Sequence, residues 1–342
     1  MKRALMTAAS ASLLIALAAC SSTEGSAQTT GGGDTGEGET FELKVAHTLA
    51  VADPLHVWAE KAAERVTERS KGRLKLTVFP ESQLGTFNDT LEQISSGSNL
   101  LSQQNTSFAA EYGFPEIEIL AGPFLYQSHD DYLKILESDL MTEWQTGLEE
   151  EAGFKTMAWN WHSGARHIIS DRGFPSPEDL EGVSIRVPSV PAYIELFDVL
   201  PTTGTPIEWA EVYSALQQGV IDAAEMPLGA YYSGSFYEQA NTMTLTGHIY
   251  NNSLWVMNAE LFNSYPEDLQ EILVEEFVTA GNEQTAEVMS LEQDLRDRLE
   301  TEHGVTFVEA DHDAYVEATR DWYTRFPEWP DGLYERILEI IG

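Results

Sequence analysis

Apolar and polar positions alternate along this chain in two rhythms. Phe41 to Ala46 and Leu74 to Phe79 alternate with a period of two, which reads as strands. Asp53 to Ser70, with Pro54 early and Gly72 just after, and Phe87 to Ser96, closed by Gly97, read as helices. Strand–helix–strand–helix is one half of an α/β lobe. Leu100 to Phe108 begins as a strand and carries a polar run at Gln103, Gln104, Asn105 and Thr106. Such a run suits either a pocket wall or a hydrated loop. Ile117 to Leu125 is a buried apolar segment, and Asp130 to Glu150 is a helical, acidic stretch. Phe154 to Trp161 reads as a strand with Trp159 and Trp161 on one face. Gly164 follows as a candidate hinge.

The stretch from Ser163 to Pro227 organises the rest. Val183 to Val187 is a short strand stopped by Pro188. Val183, Ile185 and Val187 share one face, and Ser184 and Arg186 the other. An arginine at the end of an apolar strand suits a cleft, where its planar fork takes a carboxylate in two parallel hydrogen bonds. It equally suits an edge-strand ion pair. Pro206 to Gly219 reads as a helix, and Val220 to Pro227 as a returning strand. Tyr231, Tyr232, Phe236 and Tyr237 form an aromatic patch on a helix. His248 to Met257 reads as a long strand. Pro266 to Thr301 reads as a helix with Gly281 as its weak point; at about 1.5 Å per residue it is long enough to brace two lobes. Val305 to Val308 is a short strand, followed by two helical segments.

Composition narrows the function. The chain has 342 residues, 42% of them hydrophobic, enough for two lobes with their own cores. Its 19 basic and 56 acidic residues give a net charge of -37, which argues against nucleic-acid binding. The eight histidines are scattered. Neither Asp311-His312-Asp313 nor His129-Asp130-Asp131 has ligand spacing suited to one metal ion, so no metal or other cofactor is expected. Among enzymes, the G-x-S-x-G, H-E-x-x-H and P-loop patterns are missing.

The amino-terminal stretch reads as a targeting segment. Lys2 and Arg3 precede an apolar run from Ala8 to Ala19, too short to span a bilayer. Leu17-Ala18-Ala19-Cys20 resembles the lipobox of bacterial lipoproteins, and Cys20 is the only cysteine. The expectation is a signal peptide over 1–19, lipidation at Cys20, and a Gly/Ser/Thr-rich flexible tether over 20–40.

Glu178-Asp179-Leu180-Glu181-Gly182-Val183-Ser184-Ile185-Arg186-Val187-Pro188, followed by Glu211-Val212-Tyr213-Ser214-Ala215-Leu216-Gln217-Gln218-Gly219-Val220-Ile221-Asp222, resembles the DctP family. These are the extracytoplasmic solute-binding proteins of TRAP (tripartite ATP-independent periplasmic) transporters. The resemblance runs from about Phe41 to the C-terminus and includes Phe79-Pro80-Glu81-Ser82-Gln83-Leu84-Gly85. It implies a two-lobe α/β, periplasmic-binding-protein-like fold, with the long helix bracing both lobes. Lobe I would be 41–163 and 252–291, and lobe II 164–251 and 292–342.

The resemblance also implies a non-catalytic protein outside the cytoplasmic membrane. It would close around a small carboxylate and deliver it to a permease of small and large membrane subunits. Arg186 matches the family's main carboxylate ligand, Arg166 a second arginine, and Trp209 an aromatic pocket residue. The first lobe's polar pocket residue falls near Gln104, and its N-terminal pocket position near His47 or Thr48. Many family members have asparagine where this chain has Met226. A methionine there would favour a ligand with an apolar or ring body and put sugar acids of the sialic type in doubt. The alternatives are a secreted enzyme acting on a small acid, or a binding protein of an ATP-driven importer.

Overall fold

The computed structural model describes residues 39–342. Cys20, the 1–19 segment and nearly all of the 20–40 tether lie outside the described residues.

Among the described residues, nine strands make one mixed sheet. They are β1 (Phe41–Ala46), β2 (Leu74–Phe79), β3 (Leu100–Asn105), β4 (Phe154–Ser170), β5 (Ser184–Val187), β6 (Thr203–Pro206), β7 (Ala223–Pro227), β8 (Thr242–Asn258) and β9 (Thr306–Glu309). Their order is β2-β1-β3-β8-β4-β7-β5-β6, with β9 added beside β8. The outer strands on both flanks pair in parallel. The antiparallel centre is β4 against β8, each 17 residues long. Both strands run through the two halves of the sheet and extend beyond the strands read at Phe154–Trp161 and His248–Met257. Their pairing slips a register between His162 and Ala165, opposite Asn251. Gly164 takes φ +95° there, a conformation open to glycine and costly for other residues.

A second slip between Ala158 and Trp161 corrects the reading of the two tryptophans. A bulge breaks the two-residue alternation. Trp159 therefore packs with Tyr132 and Trp144 in one core cluster, while Trp161 packs with Trp255 and Phe277 in another. The first cluster is shared by both halves of the sheet; it also holds Ile185, Val187 and Tyr193. Elsewhere each half has its own core, around Trp161 and Trp255 in the first and around Met226, Tyr231 and Leu299 in the second.

Among the described residues, twelve α-helices connect and cover the strands. They are α1 (Pro54–Arg69), α2 (Phe87–Ser95), α3 (Thr106–Ala110), α4 (His129–Leu136), α5 (Asp139–Glu151), α6 (Pro191–Asp198), α7 (Val212–Gln217), α8 (Leu228–Ser233), α9 (Ala259–Ser264), α10 (Glu267–His303), α11 (His312–Thr319) and α12 (Leu333–Ile341). The acidic stretch around Asp130–Glu150 is thus two helices, and Ile117 lies in a 3-10 segment, Pro115–Ala121. The helix read from Pro206 starts later. Pro206 is still extended, in register with Val187, and a 3-10 turn at Trp209–Glu211 precedes α7. The aromatic patch divides between α8 and a 3-10 turn at Phe236–Glu238.

Helix α10 is the 37-residue brace. Leu269, Leu273, Phe277, Ala280 and Gln284 form a buried stripe at three- and four-residue spacing. Leu299, near its other end, packs into the second half's core. Gly281 is a close-approach position. A Cβ there would sit 2.6 Å from Asn160 Oδ1 and 2.7 Å from the Trp161 ring, so only glycine lets the helix lie against β4.

Candidate functional site

The carboxyl ends of β3, β5 and β7 and the register slip of β4 meet at one cavity of about 800 Å³, its mouth included. Open α/β sheets place ligands at such strand ends. Its walls include Phe87, Phe108, Tyr193, Trp209 and Pro227, with polar groups from Thr48, Asp53, Gln103, Asn105, Ser163 and Asn251. Both arginines singled out from sequence, Arg166 and Arg186, line it.

The two arginines differ in their partners. Arg166, on β4, faces Glu225 on the neighbouring β7. Its Nη2 donates to Glu225 Oε1 at 2.7 Å and to the Glu225 carbonyl at 3.0 Å, its Nε donates to Oε2, and its Nη1 donates to Asn251 Oδ1 at 2.9 Å. This is a fork-on-carboxylate pair with the arginine 6% exposed and the glutamate 0%. Burial alone would raise the Glu225 carboxyl. The Arg166 charge and the hydrogen bonds from His248 and Arg166 override it and hold the group down at about 2. The charge of Arg166 is therefore already matched.

Arg186 is not matched. It is 3% exposed, and its Nε donates to the Ile207 carbonyl at 2.7 Å. Among the described residues no carboxylate lies within ion-pair distance of it. Its guanidinium sits 5.7 Å from the centre of the Trp209 ring. Burial pulls Arg186 down to about 10, with the Glu225 charge opposing the fall and Arg166 adding to it. It stays cationic at neutral pH. A buried cation that no carboxylate pairs is a seat for an anion.

Four of the sequence-derived site residues, Arg166, Arg186, Trp209 and Thr48, line this cavity. Three face elsewhere. Gln104 is fully buried on the other side of β3, where its Nε2 donates to Thr90 Oγ1 at 2.9 Å and to Ser102 Oγ at 3.1 Å. Strand alternation gives the cavity its neighbours Gln103 and Asn105 instead. Met226 packs with Ile169, Val212 and Tyr231, while Pro227 lines the cavity. The doubt about sugar acids rested on the Met226 sulfur, and it falls with that placement. His47 pairs its Nε2 with His56 Nδ1 at 3.0 Å. Burial, with His56 nearby, lowers it to about 3.

Sequence reasoning missed Glu225, Tyr193 and Asp53. Asn105 Nδ2 donates to Tyr193 Oη at 3.0 Å, and Ser233 Oγ donates to Asp53 Oδ2 at 3.2 Å. Each joins the two halves across the cavity. Asp53 caps α1 ahead of Pro54, a signal that was legible as a helix start but not as a pocket wall. Among the described residues no group of three His, Cys, Asp or Glu is placed to hold a metal ion, and no helix is long and apolar enough to cross a membrane.

The model of the bacterial extracellular solute-binding proteins, family 7 (DctP), matches residues 45–328. The 2,3-diketo-L-gulonate-binding periplasmic protein YiaO of Escherichia coli is 28% identical over 87% of this chain and 92% of its own length. A TRAP periplasmic solute-binding protein from Ochrobacterium anthropi, solved with L-fuconate, superposes with a TM-score of 0.85 at 30% identity, covering 89% of this chain and all of that one. One from Fusobacterium nucleatum, solved with sn-glycerol-3-phosphate, gives a TM-score of 0.85 at 28% identity over 88% of this chain and 96% of its own.

Proposed function

The chain belongs to family 7 of the bacterial extracellular solute-binding proteins, and from that premise we propose that Arg186 is the seat for the carboxylate of a small organic acid held between the two halves. The observation that carries this reading is the buried, unmatched Arg186 in the shared cavity. Arg166 contributes shape and hydrogen bonds more than net charge, because Glu225 balances it. Trp209 and Tyr193 wall the ligand's body. The moving joint of this reading lies at Ser163–Gly164 and Asn251, and the register slip of the long strands there supports it. The protein hands its ligand to the small and large membrane subunits of a TRAP permease, and it performs no chemistry on it.

A thermal-shift panel of organic acids tests this. A bound acid present at about a hundred times its Kd should stabilise the protein by about 2.7 kcal/mol. The acid should be recovered unchanged; its conversion would make the protein an enzyme.

The anchor is a separate proposal. Cys20, after Leu17-Ala18-Ala19, carries the lipid that keeps the protein on the outer side of the cytoplasmic membrane. Cys20→Ala should move the protein to the soluble fraction with its ligand affinity intact. Equal membrane retention of the variant would remove the anchor from the account.

A further inference from the structure

The cavity that holds the arginines carries an acid of its own. Asp53 is 5% exposed and lines the same cavity. Its Oδ1 accepts the Leu55 N–H at 2.9 Å, and its Oδ2 accepts the Ser233 hydroxyl at 3.2 Å. Among the described residues no cation lies within ion-pair distance of it. Beside it, Gln103 is 4% exposed and also lines the cavity. One end of its side-chain amide meets Ser253 Oγ at 2.8 Å, while the other end has no partner. A buried amide end of this kind is completed by a ligand hydroxyl.

The charges around the cavity then sum in a definite way. Arg166 and Glu225 cancel. Arg186 is left to receive one anion. Asp53 and the half-buried Glu208 remain as negative groups, and both line the cavity. A ligand with a second carboxylate brings that charge towards acids rather than towards a cation. Like charges set together in a desolvated site cost several kcal/mol.

We propose that Asp53 is a charge filter: it admits monocarboxylates whose body carries hydroxyls and rejects the matching dicarboxylates. This rests on Arg186 as the carboxylate seat. Burial raises Asp53 to about 6, opposed by its hydrogen bonds from Leu55 and Ser233. Above that pH the group is ionised and the filter is set. Below it, protonation of Asp53 relieves the repulsion and the filter weakens. The other charged groups facing the cavity are Arg166, Arg186 and Glu208, with Glu225 behind Arg166; the two arginines stay cationic and Glu225 stays anionic over this range.

The test uses acids that differ only at the far carbon: galactonate with galactarate, gluconate with glucarate, and erythronate with meso-tartrate. Each is titrated into the full-length protein and into Asp53→Asn. Asparagine caps helices as well as aspartate does, so the substitution removes the charge and keeps the start of α1. A melting midpoint no lower than that of wild type verifies that. For the pair that binds best, the dicarboxylate should be on the order of a hundredfold weaker at pH 8. The gap should shrink as pH falls towards about 5.5, because each unit below the Asp53 value removes ionised carboxylate. In Asp53→Asn the gap should close to within about tenfold and lose its pH dependence. A wild-type protein that binds both members equally at pH 8, or a gap that persists in Asp53→Asn, overturns the filter and leaves Arg186 as the seat. Failure of every acid to bind overturns both.

Discussion

Glu225→Gln should lose about 3–5 kcal/mol of stability, the cost of leaving a buried charge without its partner. Glutamine keeps the shape of the side chain and removes only the charge. Arg166 would then hold its guanidinium inside the protein with a neutral amide in place of a bidentate carboxylate. It is 6% exposed, and β4 and β7 pair around the contact, so most of it stays out of water. Denaturant unfolding of the two proteins measures the difference. The acid limb gives a second reading. Folding lowers the Glu225 carboxyl from 4.5 to about 2, so its contribution is complete above about pH 4.5 and is lost as pH falls towards 2. Wild type should show that loss and Glu225→Gln should lack this component. A variant as stable as wild type at neutral pH would mean that Arg166 reaches solvent and that the pair is not a structural fixture.

This pair also shows what sequence could and could not tell. Arg166 was legible because basic residues are few, 19 in a chain of 342. Glu225 was not, because it is one carboxylate in a chain with 56 acidic residues. Only the antiparallel register of β4 with β7 singles it out. Most strands and helices could be placed from periodicity, since each has its own apolar rhythm and its own Gly, Pro or Asp punctuation. Parity was harder. Gln103, Gln104 and Asn105 are all polar, so alternation gives two possible faces and no way to choose between them. The choice is made by which side packs on α2, where Gln104 bonds Thr90. Met226 shows the same limit, since its neighbours Glu225 and Pro227 face the opposite way. Trp159 and Trp161 fail differently, because a bulge shifts parity without any glycine or proline to announce it. Arg186 escaped these problems. The alternation of Val183, Ile185 and Val187 left it only one face, and the strand's end put that face at the cavity.

The carboxylate seat is therefore the part of the account that both sequence and geometry support, and removing it should have the largest effect on binding. Arg186→Ala takes away the cation that receives the ligand. A carboxylate entering that cavity meets a buried site with no counter-charge, at a penalty of about 3–5 kcal/mol. Affinity should fall by roughly a hundred- to ten-thousandfold, at about 1.4 kcal/mol per decade. Arg186→Lys keeps the charge and loses the planar fork and the Nε–H that donates to the Ile207 carbonyl. It should bind better than Arg186→Ala and well below wild type. Neither variant breaks an ion pair in the free protein, so each should fold. Calorimetric titration of wild type, Arg186→Ala and Arg186→Lys with the acid that stabilises the protein best tests the claim directly. The account expects measurable binding to wild type, a large loss with lysine and a larger one with alanine. Binding by both variants within a few-fold of wild type would contradict it and leave Arg186 as a structural residue.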